Sequence, residues 1–330
     1  MATAVFTEGL TKDFPIGFWR PRPHRALDRL SIEIPSGTVF GLLGPNGAGK
    51  STTLKLLLNL IWPTAGRAEV LGQAPQVAAA RQRVGFLPEN PTFYDHLTAE
   101  ELVTYFAGLF GQPAAEAARR AAAVLDRVGL GGERRRPLRQ FSKGMLQRVG
   151  LAQALVNDAE LIILDEPMSG LDPLGRRDVR DIILQLRDEG RTVLLSSHIL
   201  SDAELLCSRV AILSKGRLQA AGPVDELTAR ARADRGWDIV VSELSPALAD
   251  RMAARVRRMR RIAEGRYSLE LAPHERPEPL VAELAAAGAR LMSVAPLRAT
   301  LEDVFLTALG ADADQPDSLR PAEPLAGVAR

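Results

Sequence analysis

The sequence predicts an α/β protein: a largely parallel sheet wrapped by helices, followed by a smaller α/β module. Short apolar runs alternate with helical segments between residues 38 and 213, and this alternation is typical of parallel sheets. After about residue 230 the spacing of strands and helices changes, which indicates a second unit. The chain has 330 residues, 46% of them apolar, which is enough material for two buried cores.

The first 75 residues or so are expected to form an antiparallel β region leading into the main sheet. Residues 30–34 alternate between apolar and polar side chains, as a half-buried strand does. The continuous apolar run over 38–43 is typical of a strand buried on both faces. A glycine-rich loop follows it, and a helix is predicted over 51–60.

Residues from roughly 90 to 155 predict a helical subdomain inserted into this domain. Thr98 with Glu101 forms a helix-start signature, and residues 114–128 form an alanine-rich helix pattern. Strand-like runs then return at 161–164, 192–195 and 210–213.

The predicted domains are residues 1–230, an accessory α/β module over 231–310, and a tail over 311–330. In the module, strands are predicted over 237–241 and 267–271, and helices over 245–259, 279–288 and 301–309. The tail is rich in Asp, Pro and Ala, so we expect it to be disordered.

Composition excludes several classes of protein. Lys and Arg total 42 against 40 Asp and Glu, so the chain is not a general polyanion binder. The single cysteine, Cys207, excludes a disulfide framework and fits a core position in a reducing compartment. We see no secretion signal, and no apolar run approaches the ~20 residues of a membrane span. A cytoplasmic location is therefore expected.

Residues 44–51 fit the pattern G-x-x-x-x-G-K-[ST] between a predicted strand and a predicted helix. Glycines let backbone N–H groups turn toward phosphate oxygens, and the helix N-terminus favours negative charge. Lys50 would reach the β- and γ-phosphates, and the Ser51 hydroxyl would ligate Mg²⁺. The pattern predicts a P-loop NTPase core. The nucleotide-binding residues assigned to this segment are Gly44, Pro45, Asn46, Gly47, Ala48, Gly49, Lys50, Ser51 and Thr52.

Two carboxylates follow the apolar strand 161–164. At the carboxyl end of a parallel strand, Asp165 is expected in the Mg²⁺ shell. Glu166 is expected to orient and deprotonate the attacking water.

Three further segments carry a family resemblance. Residues 141–148, Phe-Ser-Lys-Gly-Met-Leu-Gln-Arg, resemble the signature motif of ATP-binding cassette (ABC) proteins. Residues 169–173 resemble the D-loop of that family, and 196–198 resemble its switch-histidine segment. With the end segment 301–305, the pattern is similar to ATPase subunits of drug-resistance and ABC-2 type transporters.

The resemblance implies a head-to-tail homodimer that sandwiches two ATP molecules, with Mg²⁺. Ser142 and Gly144 of one chain would seal ATP held by the other, and Asp172 would bridge the chains. His198 would contact the γ-phosphate. The implied function is ATP hydrolysis that drives export through a separate membrane permease, at the inner face of the cell membrane.

Some positions depart from the family pattern or leave a choice open. Lys143 and Met145 replace a glycine and the glutamine of the usual signature. Glu89 stands where the family has a glutamine that senses Mg²⁺, and a carboxylate can still ligate the metal. The aromatic that stacks on adenine is assigned to Phe14, with Phe18 or Trp19 as alternatives, since the segment 15–25 is longer than usual.

Two surfaces have more than one interpretation. Phe93, Tyr94 and Leu97 suit docking of a short helix from a membrane subunit, or they pack internally. The basic runs 19–25 and 251–261 suit contact with lipid head groups or nucleic acid, or they are solvated faces; Met252, Val256 and Met259 are expected on one helical face of the second run.

Two other functions are less consistent with the sequence. A soluble ABC ATPase acting on nucleic acid or ribosomes usually carries a coiled-coil insertion, zinc modules or two fused cassettes, and the sequence shows none, so no nucleic-acid partner is expected. A binding-only regulator with a dead site is disfavoured because Lys50, Asp165, Glu166 and His198 are all present.

Overall fold

The computed structural model describes residues 2–17, 22–232, 236–272, 274–297 and 300–310. The strands are β1 (Thr3–Ile16), β2 (Arg22–Pro35), β3 (Val39–Leu43), β4 (Ala65–Val70), β5 (Val84–Leu87), β6 (Leu161–Leu164), β7 (Thr192–Ser197), β8 (Arg209–Ser214), β9 (Arg217–Pro223), β10 (Trp237–Ser242), β11 (Arg258–Ala263), β12 (Arg266–Glu270) and β13 (Arg290–Pro296). The α-helices are α1 (Lys50–Leu57), α2 (Ala78–Gln82), α3 (Ala99–Leu109), α4 (Ala114–Arg127), α5 (Lys143–Leu155), α6 (Pro173–Asp188), α7 (Leu200–Leu206), α8 (Val224–Arg232), α9 (Pro246–Ala253), α10 (Pro277–Ala286) and α11 (Leu301–Gly310).

The main sheet orders its strands β5, β6, β7, β3, β8 and β9. All neighbours are parallel except β9, which runs antiparallel to β8. Every residue of β3, β6 and β7 is buried, as their apolar runs predict, because other elements cover both faces of the sheet. The carboxyl ends of these three adjacent strands therefore meet at one edge, where α/β sheets bind their ligands.

The N-terminal region is a separate antiparallel sheet with the order β2, β1, β4. It shares a core with α1 and the nearby face of the main sheet, to which Leu10 and Leu54 contribute. The β1–β2 hairpin projects outward as far as the pair Ile16 and Arg22. A hydrogen bond of 2.9 Å from Arg25 to Asp13 braces it and holds the pKa of that carboxyl below its ordinary value. The predicted antiparallel β region is confirmed.

The inserted helical region lies between β5 and β6 and consists mainly of α3, α4 and α5, which pack on one another. Thr98 caps α3 by accepting a hydrogen bond from the Glu101 amide at 3.2 Å. The Glu101 carboxylate in turn accepts from the Thr98 amide at 2.8 Å, which completes the capping box expected from these residues.

The C-terminal module follows the order β10, α9, β11, β12, α10, β13. Its strands lie side by side as β11, β12, β10, β13, all antiparallel, which is a ferredoxin-like arrangement. Ile239 and Leu269 of the sheet, with Leu248 and Leu284 of its helices, form its core. The predicted small C-terminal α/β module is confirmed.

The helix predicted over 245–259 is wrong in its second half. α9 ends at Ala253, and residues 258–263 form the edge strand β11 instead. The three apolar side chains expected on one helical face do not share one: Met252 lies on α9, Val256 lies beyond its end, and Met259 lies on β11, where it pairs with Leu269. All three nevertheless contribute to the module core. Strand β13 was not predicted at all; its residues are all exposed and show no buried alternation.

The domain boundary predicted at 231–310 is wrong for the last helix. α11 leaves the module and packs on α7, α8 and β9 of the main domain. Leu301 is fully buried there and Val304 nearly so, within the main core. Glu204 of α7 accepts a hydrogen bond of 3.4 Å from the Leu301 amide. The module is therefore flanked by α8 and α11, two helices that contact each other.

Three further expectations concern Cys207, membrane-spanning helices and the tail. Cys207 is a core residue, and burial raises the pKa of its thiol to about 12. In the part of the chain that is described, no helix is long and apolar enough to cross a bilayer. The tail 311–330 lies outside the described residues.

Replacing Leu301 by Ala should lower the free energy of unfolding of the main domain by about 2–4 kcal/mol, because it opens a cavity in that core. Urea denaturation followed by tryptophan fluorescence measures this. Leu306→Ala on the same helix is the matched control; Leu306 is 60% exposed, so a change within about 0.5 kcal/mol is expected. Equal effects of the two substitutions would mean that α11 does not belong to the main core.

Candidate functional site

The glycine-rich loop 44–49 joins β3 to α1 and lines a cavity of about 670 Å³. Gly47 has a φ of +79° and faces open space, where its backbone is reachable. Gly49 has a φ of +105°, and a side chain there would come within 2.8 Å of the Ala26 carbonyl oxygen. The loop therefore needs glycine for its conformation, and it presents backbone N–H groups at the start of a helix, a geometry suited to phosphate.

The cavity brings together most of the residues that the sequence assigns to one nucleotide. Its lining residues are Phe14, His24, Ala26, Pro45, Asn46, Gly47, Ala48, Gly49, Lys50, Ser51, Thr52, Glu89, Glu166, Ser169 and His198.

Lys50 is the cation of this site, and its side chain is only 6% exposed. Its ammonium group donates to the carbonyl oxygens of Gly44 at 2.7 Å and Pro45 at 3.3 Å. It also lies 3.2 Å from Glu166 Oε1, as an ion pair without hydrogen-bond geometry. Phosphate oxygens can replace the two carbonyl acceptors, because they are stronger acceptors for an ammonium group.

Asp165 lies beside Ser51 under the loop. Ser51 Oγ donates to Asp165 Oδ1 at 3.2 Å, and the buried Ser196 donates to the same oxygen at 2.6 Å. A carboxylate next to a hydroxyl is a donor set that Mg²⁺ accepts when phosphates and water complete its shell. Glu89 is exposed and lines the cavity wall, whereas Asp165 is not among the lining residues. No group of three or more His, Cys, Asp or Glu side chains that could hold a metal occurs in the described ranges.

Glu166 is buried at the centre of the site with a backbone φ of +48°. This left-handed conformation costs a non-glycine residue about 1–2 kcal/mol, so surrounding contacts must hold it. Its amide donates to Ser196 Oγ at 2.8 Å, and its Oε2 lies 2.8 Å from His198 Nδ1. Glu166 is thus aimed into the cavity between a lysine and a histidine.

The far end of the cavity is lined by the β1–β2 hairpin. Phe14 and His24 are paired across the two strands, and both line the cavity. The Lys12 ammonium group lies 5.0 Å from the centre of the Phe14 ring. Phe14 therefore lies where an aromatic could stack on a base, whereas the alternatives Phe18 and Trp19 lie outside the described residues.

Ser142, Gly144 and Asp172 do not line the cavity of their own chain. Ser142 is exposed and caps α5, accepting from the Met145 amide at 3.3 Å. Asp172 is exposed and caps α6, accepting from the Gly175 amide at 2.8 Å. Both stand at helix N-termini on the surface, which allows contact with a second chain.

The candidate docking surface that follows Glu89 is only partly exposed. Phe93 and Leu97 pack against the main core, while Tyr94 is 65% exposed. Tyr105 and Leu109 of α3, which the sequence did not single out, are also exposed.

Two residues of the site, His24 and Ser196, were not predicted from the sequence. His24 gave no signal, because its place at the cavity depends on strand pairing 10 residues away from Phe14. The sequence assigned no role to Ser196, although it lies in the segment 196–198 that resembles the switch-histidine segment. Its hydroxyl, close to the histidine, could have indicated one.

A family model described as "ABC transporter" matches residues 27–169. An uncharacterized ABC transporter ATP-binding protein from Synechocystis is 43% identical over 93% of this chain and 85% of its own length. The daunorubicin resistance ATP-binding protein DrrA3 of Streptomyces coeruleorubidus is 36% identical over 94% of this chain and 97% of its own. The linearmycin resistance ATP-binding protein LnrL of Bacillus subtilis is 34% identical over 85% and 92%.

Solved structures agree with these relatives. An ATP-binding subunit of an ABC transporter is 30% identical with a TM-score of 0.60, covering 69% of this chain and 93% of that one. A dimeric post-hydrolysis state of the ATP-binding cassette MJ0796 with ADP and Pi is 25% identical with a TM-score of 0.61, covering 66% and 98%.

Replacing Ser196 by Ala should lower the free energy of unfolding by about 1–3 kcal/mol, because the Glu166 amide loses its acceptor and Asp165 loses a donor. Denaturant titration measures this. Ser201→Ala, the same change at an exposed position of α7, should leave stability within about 0.5 kcal/mol. A Ser196→Ala protein as stable as the control would contradict this bonding scheme.

Proposed function

Because this chain belongs to the ABC transporter family of ATP-binding proteins, we propose that it hydrolyses ATP to drive export through a separate membrane permease. The proposal that the chain hydrolyses ATP rests on the convergence of Lys50, Glu166 and His198 at the glycine-rich loop. The relatives named for daunorubicin and linearmycin resistance support the direction of transport. They favour this reading over a soluble ABC ATPase acting on nucleic acid or ribosomes.

ATP would lie along the cavity with its triphosphate in the loop and its adenine at Phe14. Lys50 would exchange its bonds to the loop carbonyls for bonds to the β- and γ-phosphates. Ser51, Asp165 and Glu89 would hold Mg²⁺, which neutralises phosphate charge when bound.

Hydrolysis needs a base near the γ-phosphate. Glu166 would accept a proton from water while the water oxygen bonds to the γ-phosphorus, and the bond to ADP breaks with ADP and phosphate as products. His198 holds the second oxygen of this carboxylate and faces the same cavity, so it would orient the base and contact the γ-phosphate.

A single chain leaves one side of this site unfinished. Ser142 and Gly144 would approach the γ-phosphate bound by a partner chain, with the N-terminal N–H groups of α5. Asp172 would bridge the two chains from the N-terminus of α6. The similar cassette MJ0796 has a dimeric structure, which supports the assembly of two chains. Hydrolysis would then require dimer closure.

The permease would dock on the helical region, where Tyr94, Tyr105 and Leu109 are exposed. Aromatic and aliphatic side chains of this kind suit the apolar face of a short helix. The protein would then work at the inner face of the cell membrane.

Replacing Glu166 by Gln should leave the Kd for ATP nearly unchanged and slow phosphate release by about 10²–10⁴-fold, because the amide cannot take the proton. The variant should accumulate as an ATP-bound dimer in size-exclusion chromatography. Glu133→Gln, the same change at an exposed position, should keep the wild-type rate. Normal turnover in Glu166→Gln would remove Glu166 from the base role.

Mixing two inactive variants tests the shared site. Lys50→Ala breaks the phosphate loop and Ser142→Arg breaks the sealing helix, so a heterodimer keeps one intact composite site. An equal mixture should recover about a quarter of wild-type phosphate release if the sites act independently. No recovery at any mixing ratio would contradict sites built from two chains.

A further inference from the structure

Gln147 is a buried polar side chain that the scheme above does not use. It lies on α5 and is 2% exposed. Its amide Nε2 donates a hydrogen bond of 3.0 Å to the carbonyl oxygen of Pro167, which is itself buried. A buried amide makes such a bond where the acceptor must stay in place, since an unpaired acceptor would be costly.

Pro167 is the residue that directly follows Glu166. The left-handed backbone of Glu166 must be held from both sides if its carboxylate is to stay aimed at the cavity. On one side, Ser196 Oγ accepts from the Glu166 amide at 2.8 Å. On the other side, Gln147 holds the next peptide carbonyl. These two side chains therefore fix the orientation of the residue between them.

The helix that carries Gln147 also carries the predicted sealing residue. Ser142 caps α5, and Gln147 lies five residues further along, about 7.5 Å along the helix axis. The first turn of α5 also contacts the segment after Pro167: the Lys143 ammonium group lies against Gly170, and Leu171 packs close to Gly144. One helix thus connects Ser142 at the surface of the chain to the backbone next to Glu166 of the same chain.

We propose that Gln147 is a positioning residue that sets the Glu166 carboxylate of its own site according to how α5 is seated at the partner's nucleotide. This rests on the proposed function, because it assigns the base role to Glu166 and the sealing role to Ser142. Helix α5 would then couple the two ATP sites of the dimer through the hydrogen bond from Gln147 to the Pro167 carbonyl.

The test uses Gln147→Met in the full-length protein, which keeps the length of the side chain and removes the donor. The expected result is a fall in kcat of about tenfold with an unchanged Kd for ATP. The same substitution in a Glu166→Gln background should cause no further loss of the residual rate, because Gln147 acts through Glu166. A general structural defect would slow both backgrounds equally.

Gln112→Met is the matched control, since Gln112 donates at 3.5 Å to the carbonyl of Val156, outside the cavity-lining residues. It should keep the wild-type kcat. If Gln147→Met does not fold, Gln147→Glu tests the same hydrogen bond. An ionised carboxylate of the same shape repels the Pro167 carbonyl, so this variant should lower kcat by a similar factor.

These measurements distinguish failure of the Gln147 role from failure of the proposed function. A wild-type kcat in the folded Gln147 variant, or an equal loss in both backgrounds, overturns the coupling role alone. A wild-type protein that binds ATP and releases no phosphate overturns the proposed function, and the positioning role with it.

Discussion

The buried ion pair between Lys50 and Glu166 is the constraint around which the site is organised. Both side chains are nearly excluded from solvent, and two charges in such a place are tolerated only when each is compensated. The parallel sheet supplies the geometry, because β3 leads into the loop with Lys50, and β6 and β7 end beside it at Glu166 and His198. A triphosphate fits this balance, since its charge meets the lysine and the helix N-terminus together.

Helix α5 contributes residues both at the surface of the chain and next to its cavity. It exposes Ser142 at its N-terminus and turns Gln147 inward to the carbonyl of Pro167, next to Glu166. The residues that follow Glu166 then lead to Asp172, which caps α6 at the surface. Helix α5 and the segment 166–172 therefore link the chain's own cavity to the surface proposed to bind a second chain.

The sequence predicts the parts of the fold that local chemistry dictates. The loop 44–51, the carboxylates after 161–164 and the Thr98 capping box could be located because their function or geometry requires particular residues at fixed spacing. Strand β11 could not, because an arginine-rich segment after a helix continues the helical pattern and only its pairing with β12 makes it a strand. The seating of Leu301 and the place of His24 at the cavity also depend on contacts distant in sequence.

In the proposed dimer, a triphosphate held by one chain is sealed by helix α5 of the other. A structure of the full-length protein with Mg²⁺ and a non-hydrolysable ATP analogue tests it most directly. We expect a head-to-tail dimer with Ser142 Oγ of one chain within about 3 Å of a γ-phosphate oxygen bound by its partner. A nucleotide fully enclosed by one chain, with Ser142 remote from every phosphate, would contradict it.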